Sequence, residues 1–265
     1  MKFSVIVVCL NPGKKLNQTL DSILRQTWED YEIIVKDGMS SDGSIEKMRR
    51  DERIRFFARK DTGIYDAMNQ AVEQAAGDFI LFLNCGDVFY HEKVLEETAA
   101  YAKRESDWDK LVLYGNTYSE KSQVLIVSPP EITGFSCYRN IPCHQSCFYG
   151  AKLCKEKSYN QEYRIRADYD HFLWCFYKAK AKMVYMNLTV ASYEGGGYSE
   201  SKENQKRDRR EHQEITASYM KKGELLRYRL FLLVTLAPLR RMLAESALFS
   251  GGYHWMKERI YGRKR

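Results

Sequence analysis

The chain has 265 residues, 44% hydrophobic and 29% charged, which is long enough and apolar enough for one large folded domain with an appendage. Its net charge of +7 belongs to the C-terminal end: residues 221–265 hold eleven Lys or Arg against three Glu, a net of +8, so residues 1–220 carry about −1. Basic charge confined to a tail, without a nucleic-acid-binding motif, argues against a nucleic-acid-binding protein.

The cysteines and the N-terminus bear on the cellular compartment. The seven cysteines are odd in number, and Met1-Lys2 leads straight into a predicted strand, so neither a disulfide framework nor a signal peptide is indicated. A reducing, cytoplasmic setting is the simpler expectation. Cys143 and Cys147 flank a histidine, but the sequence offers no second ligand pair at a usual spacing, which favours ordinary half-buried cysteines over a zinc site.

The first part of the chain alternates strands and helices. Phe3 to Leu10 and Tyr31 to Val35 are apolar runs that predict buried strands, and helically spaced leucines between them predict a helix. A short helix from Ser44 to Arg50 and a strand from Ile54 to Ala58 repeat this unit. The order predicts a parallel sheet with right-handed crossovers.

A helix opening at about Asp61 and running to Ala76 carries two polar side chains near its start. Asp66 and Asn69 are three residues apart and therefore share a face. In isolation, Asp66 would complement the helix dipole and Asn69 would face water. Because this helix leads directly into the strand that carries the strongest site signal, a role in binding is the competing interpretation.

That signal is the run from Asp78 to Asp87. Five apolar residues, Phe79 to Leu83, predict a strand buried on both faces, and a polar turn follows at the carboxyl edge, where open α/β sheets bind ligands. Asp87 supplies a carboxylate, the kind of oxygen ligand that a hard divalent cation needs, beside Gly86, which allows another group to approach the backbone. Asp87 is therefore the first candidate for a metal ligand.

The second half is less regular. A helix is predicted over His91 to Lys103, an antiparallel strand pair over 111–118 and 124–127, a helix that follows Arg166 to Asp170 and runs through Ala179, and a strand over Met183 to Val190. The segment from Gly195 to Glu214 combines glycines with Lys and Arg. It is interpreted either as a flexible lid whose cations meet phosphate or as a solvated loop and helix face.

Several motifs in one order give the chain a resemblance to a known family. From Phe3 to Ser199 it resembles the inverting family 2 glycosyltransferases of the GT-A fold, especially the branch typified by colanic-acid and other bacterial polysaccharide transferases. The resemblance implies an α/β fold with a Rossmann-like, mostly parallel sheet flanked by helices. It is carried by Val5 to Asn11, Val35 to Gly38 with Ser41 to Gly43, Gly63 to Asn69, Phe82 to Asp87, His144-Gln145 and Asp168 to Asp170.

The resemblance also implies roles for individual residues in a nucleotide-sugar site. Asp37 matches the carboxylate that contacts the base, and Asn11 lies near the nucleoside. Asp66 and Asn69 match residues near the base, ribose and sugar. The segment Asn84 to Asp87 stands in place of the family's Asp-x-Asp motif, and Asp87 matches its ligand for Mn²⁺ or Mg²⁺. Asn84 and Gly86 replace carboxylates here, which removes formal charge from the site.

Transfer of a sugar also needs a base to take the acceptor's proton. Asp168 matches the family's catalytic base, and its expected position just before a helix leaves the carboxylate facing the cleft. Asp170 competes for this role, because Asp-x-Asp spacing in an extended turn places both carboxylates on one side. His144 is interpreted as orienting the acceptor or meeting phosphate, or else as a structural histidine.

The tail completes the predicted organisation: a catalytic domain over residues 1–220 and a basic helical appendage over 221–265. Leu230 to Leu239 is a ten-residue apolar run, too short to cross a bilayer, and arginines flank it. This pattern favours a helix lying on an anionic membrane, against a helix packed on protein. We expect a cytoplasmic, peripheral enzyme that transfers sugar from a nucleotide donor, with UDP first, to a saccharide or lipid-linked acceptor; the alternative is a nucleotide-sugar-binding protein without activity.

Overall fold

A computed structural model of the protein describes residues 1–195 and 202–234, with the side chains of residues 202 and 203 left out. The described part contains a nine-stranded sheet flanked by helices. Its strands are β1 (Phe3–Cys9), β2 (Tyr31–Asp37), β3 (Ile54–Ala58), β4 (Phe79–Phe82), β5 (Val88–Phe89), β6 (Leu111–Ser119), β7 (Val124–Ile126), β8 (Cys147–Gly150) and β9 (Lys182–Tyr193). Its helices are α1 (Lys15–Leu24), α2 (Ile64–Val72), α3 (Val94–Ala102), α4 (Gly134–Arg139), a 3₁₀ turn at His144–Ser146, α5 (Ala151–Glu156), α6 (Ala167–Tyr177), α7 (Lys202–Tyr219) and α8 (Lys222–Val234).

The sheet is parallel throughout only in its first half, and its second half is mixed. Strands β3, β2, β1 and β4 lie side by side and parallel, as the alternation predicts. Beyond β4 the order continues through β8, β6, β9 and β5, and β8 pairs antiparallel with both neighbours. The predicted antiparallel pair is confirmed as β6 with β7, and β6 also pairs in parallel with β9. The fold is therefore α/β with a mixed sheet rather than a wholly parallel one.

The core lies between this sheet and the helices that cover it. Strands β1, β2 and β4 are buried along their whole length because helices lie on both faces of the sheet. One face of α1 contributes Leu16, Leu20 and Ile23 to the same apolar cluster as β1 and β2. This packing holds the carboxyl ends of β1, β2 and β4 at one edge, where the polar turns follow.

The helix predicted from Ser44 to Arg50 is wrong. The segment has turns instead, and Asn17 on α1 holds it through bonds to the carbonyl of Lys47 and the N–H of Arg49. Arg49 also makes a two-bond ion pair with Asp21 of α1. These contacts with α1 replace the local hydrogen bonds of a helix, which a segment this short forms weakly on its own.

The chain divides into two units, Met1–Ile215 and Thr216 onward. The division falls close to the predicted boundary at residue 220, and the separate roles of the two parts remain a prediction. Within the described residues no helix is long and apolar enough to span a membrane. All seven cysteines are free thiols. The end of the apolar run from Leu230 to Leu239 and the rest of the tail lie outside the described residues.

Candidate active site

A cavity of about 520 Å³ opens at the carboxyl edge of β4. The turn after β4 forms one wall, the 3₁₀ turn at His144 a second, and the segment from Arg164 to Tyr169 a third. Lys15 at the start of α1 and Glu194 after β9 reach the mouth. Four of the residues singled out from the sequence therefore share one cavity: Asn84, Asp87, His144 and Asp168.

Asp168 lies in the first turn of α6, not before the helix as expected. Its Oδ1 accepts the N–H of Tyr169 at 2.9 Å and lies 3.2 Å from the hydroxyl of Tyr65. Burial raises the pKa of this carboxyl, but the hydrogen bond and charge of His144 outweigh it, so the pKa lies below its usual value. Asp168 is thus held as a carboxylate, the form that a general base needs.

His144 bridges Asp168 and the turn after β4. Its Nδ1 lies 3.5 Å from Oδ2 of Asp168, and its Nε2 lies 3.2 Å from Nδ2 of Asn84. Nδ2 of Asn84 can only donate, so Nε2 accepts this bond only while the ring is neutral, with the remaining proton on Nδ1 toward Asp168. Burial lowers the pKa of His144, while Asp168 raises it to a value above the usual one.

Asp87 is fixed through its backbone by α1. Thr19 donates to the carbonyl of Asp87 at 2.8 Å and accepts the N–H of Gly86 at 3.0 Å. Gly86 has a φ of +104°, and a Cβ there would lie 3.4 Å from Cδ of Lys15, so the close approach expected at this glycine is made by Lys15. Burial raises the pKa of Asp87 to about 6, and Glu194 adds to the rise.

The oxygen atoms of Asp87 and Asn84 fit a cation that is bound partly by the protein and partly by the phosphate oxygens of a substrate. Among residues 1–195 and 202–234 there is no cluster of three or more His, Cys, Asp or Glu that could hold a metal alone. The Oδ1 of Asn84, however, is buried with no hydrogen-bond partner in the described part of the chain. One carboxylate and one amide oxygen, completed by phosphate oxygens, are a usual set for Mg²⁺.

Asn11 and Asp37 lie at the ends of β1 and β2 and build the neighbouring turn. Asp37 is 2% exposed, and its carboxylate accepts the N–H groups of Met39 and Ser40 at 3.0 and 2.8 Å. The Oδ1 of Asn11 accepts the N–H of Ser41 at 2.8 Å. Neither residue lines the cavity around Asp168. A contact between Asp37 and a base stays a prediction, and in this structure its carboxylate is occupied by the turn.

Asp66 and Asn69 face the segment that leads to Asp168. Asp66 lies in the first turn of α2, accepts the N–H of Thr62 just before the helix at 2.8 Å, and receives a bond from Gln161 at 3.3 Å. Asn69 binds both backbone groups of Tyr159. The prediction that Asp66 complements the start of the helix therefore accounts for part of its contacts. The side chain of Asn69 is hydrogen-bonded to protein and does not simply face water. Their contact with a nucleotide sugar stays a prediction.

Asp170 points away from Asp168. Both residues lie in α6, where a separation of two places side chains on nearly opposite sides, so the expected extended turn with both carboxylates together is wrong. Asp170 is buried, and its Oδ2 lies 3.5 Å from Nζ of Lys157. Of the two, Asp168 alone lines the cavity.

Sequence reasoning missed several residues of the cavity wall. Lys15 and Glu194 form an ion pair at the mouth. The Tyr65 hydroxyl lies 2.6 Å from the carbonyl of Ile165, and Arg166 makes a two-bond ion pair with Asp208 on α7. Only Lys15 had a local signal, since it starts a helix just after the polar turn of β1. The Lys and Arg residues expected to form a lid lie on α7, but the residue of this helix that lines the cavity is acidic, Asp208, and residues 196–201 lie outside the described part.

Comparison with known proteins identifies the family. The model of "Glycosyl transferase family 2" matches residues 4–152. A "PGL/p-HBAD biosynthesis glycosyltransferase" of Mycobacterium tuberculosis is 34% identical over 204 residues, which cover 74% of this chain and 78% of the relative. The match extends past the family model and covers most of both chains.

Solved structures of glycosyltransferases have the same fold. Staphylococcus aureus TarS 1–349 matches with a TM-score of 0.62 and 22% identity over 73% of this chain and 60% of that chain. Its complex with UDP-GlcNAc matches with a TM-score of 0.64 and 20% identity over 83% of this chain and 71% of that chain. The mannosyltransferase PcManGT of Pyrobaculum calidifontis, in complex with GDP-Man and Mn²⁺, matches with a TM-score of 0.59 and 12% identity over 99% of this chain and 88% of that chain.

These findings agree with the mixed sheet and with the motifs along its carboxyl edge. The fold is the GT-A fold, and the chain belongs to glycosyltransferase family 2.

Proposed function

We propose that the protein transfers a sugar from a nucleoside diphosphate donor to a hydroxyl of a saccharide or lipid-linked saccharide, with inversion at the anomeric carbon. The observation that carries this proposal is the meeting of Asp87 and Asp168 in one cavity, although 81 positions separate them in the chain. One carboxylate stands on the side of the diphosphate and the other on the side of the acceptor. Inversion needs this arrangement, because the acceptor attacks from the face opposite the leaving group.

Asp168 is the general base in this proposal. The acceptor hydroxyl must lose its proton as it attacks, and a carboxylate with a lowered pKa, open to a cavity, can take it. Tyr65 and His144 hold the carboxylate in one orientation. Such a base contributes typically about 10² to 10⁴ in rate.

Asp87 and Asn84 would hold a Mg²⁺ or Mn²⁺ ion together with the donor diphosphate. When bound, the cation neutralises charge on the departing diphosphate as a Lewis acid. The buried Oδ1 of Asn84, which has no hydrogen-bond partner within residues 1–195 and 202–234, supports this assignment, and so does the Mn²⁺ in the complex of PcManGT. Because the two proposed protein ligands include a single carboxylate, affinity for the metal without nucleotide is expected to be low.

A UDP sugar is the first candidate donor. TarS, which has the same fold, has been crystallised with UDP and with UDP-GlcNAc, whereas PcManGT was crystallised with GDP-Man. The turn built by Asn11 and Asp37 lies at the neighbouring strand ends, where the resemblance expects the nucleoside. The thermal shift with UDP, GDP and dTDP distinguishes the nucleotide of the donor.

The acceptor is proposed to be presented at a membrane surface in bacterial polysaccharide synthesis. On α8, Leu226, Leu230, Phe231, Leu233 and Val234 are more than half exposed, and Leu226, Leu230 and Leu233 among them follow the spacing of one helical face. Arg227 and Arg229 flank this face, and the tail beyond it is basic. Apolar residues beside arginines suit the interface of an anionic membrane, which supports a peripheral cytoplasmic location.

The competing function is a nucleotide-sugar-binding protein without transferase activity, which the missing carboxylates at Asn84 and Gly86 would favour. Asp168→Asn separates the two. The variant keeps the size of the side chain but removes the base, so UDP binding should persist while release of UDP from a UDP sugar falls by about 10²-fold or more. A wild-type protein that binds UDP but never turns over the donor with any acceptor would favour the binding protein.

The donor site itself is tested by the thermal shift with UDP, GDP and dTDP, each with and without Mn²⁺. A ligand at one hundred times its Kd stabilises the native state by roughly 2.7 kcal/mol, so a real site gives a visible shift. We expect the largest shift with UDP and Mn²⁺ and its loss in Asp87→Ala. A cooperative melt that no nucleotide shifts would contradict a preformed donor site.

A further inference from the structure

Helix α7 reaches back to the segment that carries Asp168. Glu211 is 4% exposed, and its carboxylate accepts three consecutive backbone N–H groups, those of Arg164, Ile165 and Arg166, at 2.9, 3.0 and 2.9 Å. These groups lie immediately before the first turn of α6. A buried carboxylate is stable only if its charge is compensated, and here the peptide N–H groups of this one segment compensate it.

A second contact one turn earlier on α7 holds the same segment. Asp208 accepts both Nε and Nη2 of Arg166 at 2.7 and 2.9 Å. The guanidinium of Arg166 also lies over the ring of Tyr169, 5.3 Å from its centroid. Asp208 and Glu211 are three residues apart, so one face of α7 binds the backbone and a side chain of the segment.

The other side of the segment is bound by α2 and the residues just before it. Arg164 donates to the carbonyl of Thr62 at 2.9 Å, and the Tyr65 hydroxyl lies 2.6 Å from the carbonyl of Ile165. The segment is thus fixed from both sides, two to four residues before Asp168. The groups that α7 contributes, the carboxylates of Asp208 and Glu211, are charged, whereas the Thr62 carbonyl and the Tyr65 hydroxyl on the other side are neutral.

We infer that Glu211, supported by Asp208, is a positioning residue for the transfer reaction, which sets the place of the Asp168 carboxylate in the cavity without touching the substrate. A displacement of about 1 Å in a catalytic group can cost roughly 10²-fold in rate. Loss of Glu211 leaves three peptide N–H groups without their acceptor and releases the backbone beside Asp168. The donor side of the cavity, at Asn84 and Asp87, has no contact with Glu211 among the described residues.

The test compares Glu211→Gln and Glu211→Ala with the control Glu214→Gln. Glu214 is an exposed carboxylate on the same helix, and it is paired with Arg210. Turnover is measured as UDP release from UDP-GlcNAc, with water or an added saccharide hydroxyl receiving the sugar, and donor affinity as the Kd of UDP by calorimetry. We expect kcat to fall about 10- to 100-fold in Glu211→Ala and less in Glu211→Gln, with the Kd of UDP unchanged within about twofold. Glu214→Gln should behave as the wild type.

Amide hydrogen exchange supplies a readout that does not need turnover. The N–H groups of residues 164–166 should exchange faster in Glu211→Gln, while those of β4 should not change. A kcat equal to that of the wild type in both variants, or an equal loss of UDP affinity and kcat, would overturn the inference. If Glu211→Ala does not fold, Glu211→Gln and Asp208→Asn carry the test.

The inference rests on the proposed role of Asp168, and the two can fail separately. If Asp168→Asn turns over as fast as the wild type, Asp168 is not the general base, whatever the result for the Glu211 variants. Lost turnover in Asp168→Asn together with unchanged turnover in the Glu211 variants would leave the base assignment intact and remove the positioning role.

Discussion

The side-chain amide of Asn69 is bonded to both backbone groups of Tyr159. Its Nδ2 donates to the Tyr159 carbonyl at 2.9 Å, and its Oδ1 accepts the Tyr159 N–H at 2.8 Å. This pair joins α2 to the beginning of the segment that ends at Asp168. A residue expected near the donor therefore also determines where the chain runs on the side proposed for the acceptor.

Replacement of Asn69 should cost stability. Two hydrogen bonds are lost in Asn69→Ala, which we expect to lower the free energy of unfolding by about 1 to 3 kcal/mol. Asn69→Asp should cost at least as much, because a carboxylate oxygen would then face the Tyr159 carbonyl. Urea unfolding measures both. Asn17→Ala is the matched control: it also removes two bonds to backbone, but in an exposed segment, and it should leave turnover unchanged.

The ion pair of Lys15 and Glu194 should compete with the donor. Lys15 lies against Gly86 beside Asp87, so its ammonium can meet a diphosphate there once Glu194 releases it. Lys15→Met should weaken UDP binding by about 10-fold or more, since bonds to charged groups contribute about 1.5 to 3 kcal/mol. Glu194→Gln should instead strengthen it.

Calorimetry with uridine and UDP separates the diphosphate from the nucleoside. Lys15→Met should leave the Kd of uridine unchanged, and Lys14→Met, which alters a neighbouring lysine outside the cavity, should change neither Kd. Equal loss of uridine and UDP affinity would place the effect of Lys15 elsewhere than on the diphosphate.

Acid should destabilise the protein through His171. This residue is 1% exposed between the rings of Tyr149 and Tyr159, whose centroids lie 5.1 and 5.2 Å from its own. Burial lowers the pKa of His171 from 6.5 to about 4, so the unfolded chain binds a proton between these values and the folded chain does not. Stability is therefore complete above pH 6.5 and falls as the pH drops toward 4, by roughly 3 kcal/mol in total.

Urea unfolding at a series of pH values measures this term against His171→Phe. The variant keeps an aromatic ring in the cluster and cannot titrate, so its stability should fall less steeply between pH 6.5 and 4. Parallel curves for the two proteins would show that His171 does not contribute to the acid sensitivity.

Gly150 should not tolerate a side chain. A Cβ at this end of β8 would lie 2.0 Å from the backbone oxygen of Trp108, so the backbone itself must move. We expect Gly150→Ala to cost more than the roughly 1 to 3 kcal/mol typical of overpacking. Gly223→Ala is the control: a Cβ there meets nothing within 4 Å, and in α8 it should stabilise by up to about 1 kcal/mol.

The parts of the fold that were predictable are those with a local signal. The runs Phe3 to Leu10 and Phe79 to Leu83 are apolar because both faces of β1 and β4 are covered, and a polar turn follows each strand. The turn at Asn84 to Asp87 could be placed at the sheet edge for the same reason. The alternation of strands and helices did not hold at Ser44 to Arg50, where hydrogen bonds from α1 decide the conformation.

The rest depended on contacts between distant residues. The reversal of direction at β8 has no local signal, because four buried residues suit either orientation. An extended turn would place Asp170 on the same side as Asp168, because residues two apart share a face in extended backbone. In a helix, residues two apart lie on nearly opposite faces. Glu211 could not be found, because the N–H groups that it binds lie 45 to 47 positions earlier in the chain.

The boundary between the parallel part of the sheet, which ends at β4, and the mixed part, which begins at β8, also separates pairings that form at different times during synthesis. Strands β1 to β4 pair within the first 82 residues, whereas β6 pairs with β9, some 70 positions later. Contacts of short separation form faster, and an N-terminal portion leaves the ribosome first. The half of the sheet that leads to Asp87 can therefore assemble before the segment that carries Asp168 has been made. The complete cavity forms only after β9, the last strand of this sheet, has paired with β6.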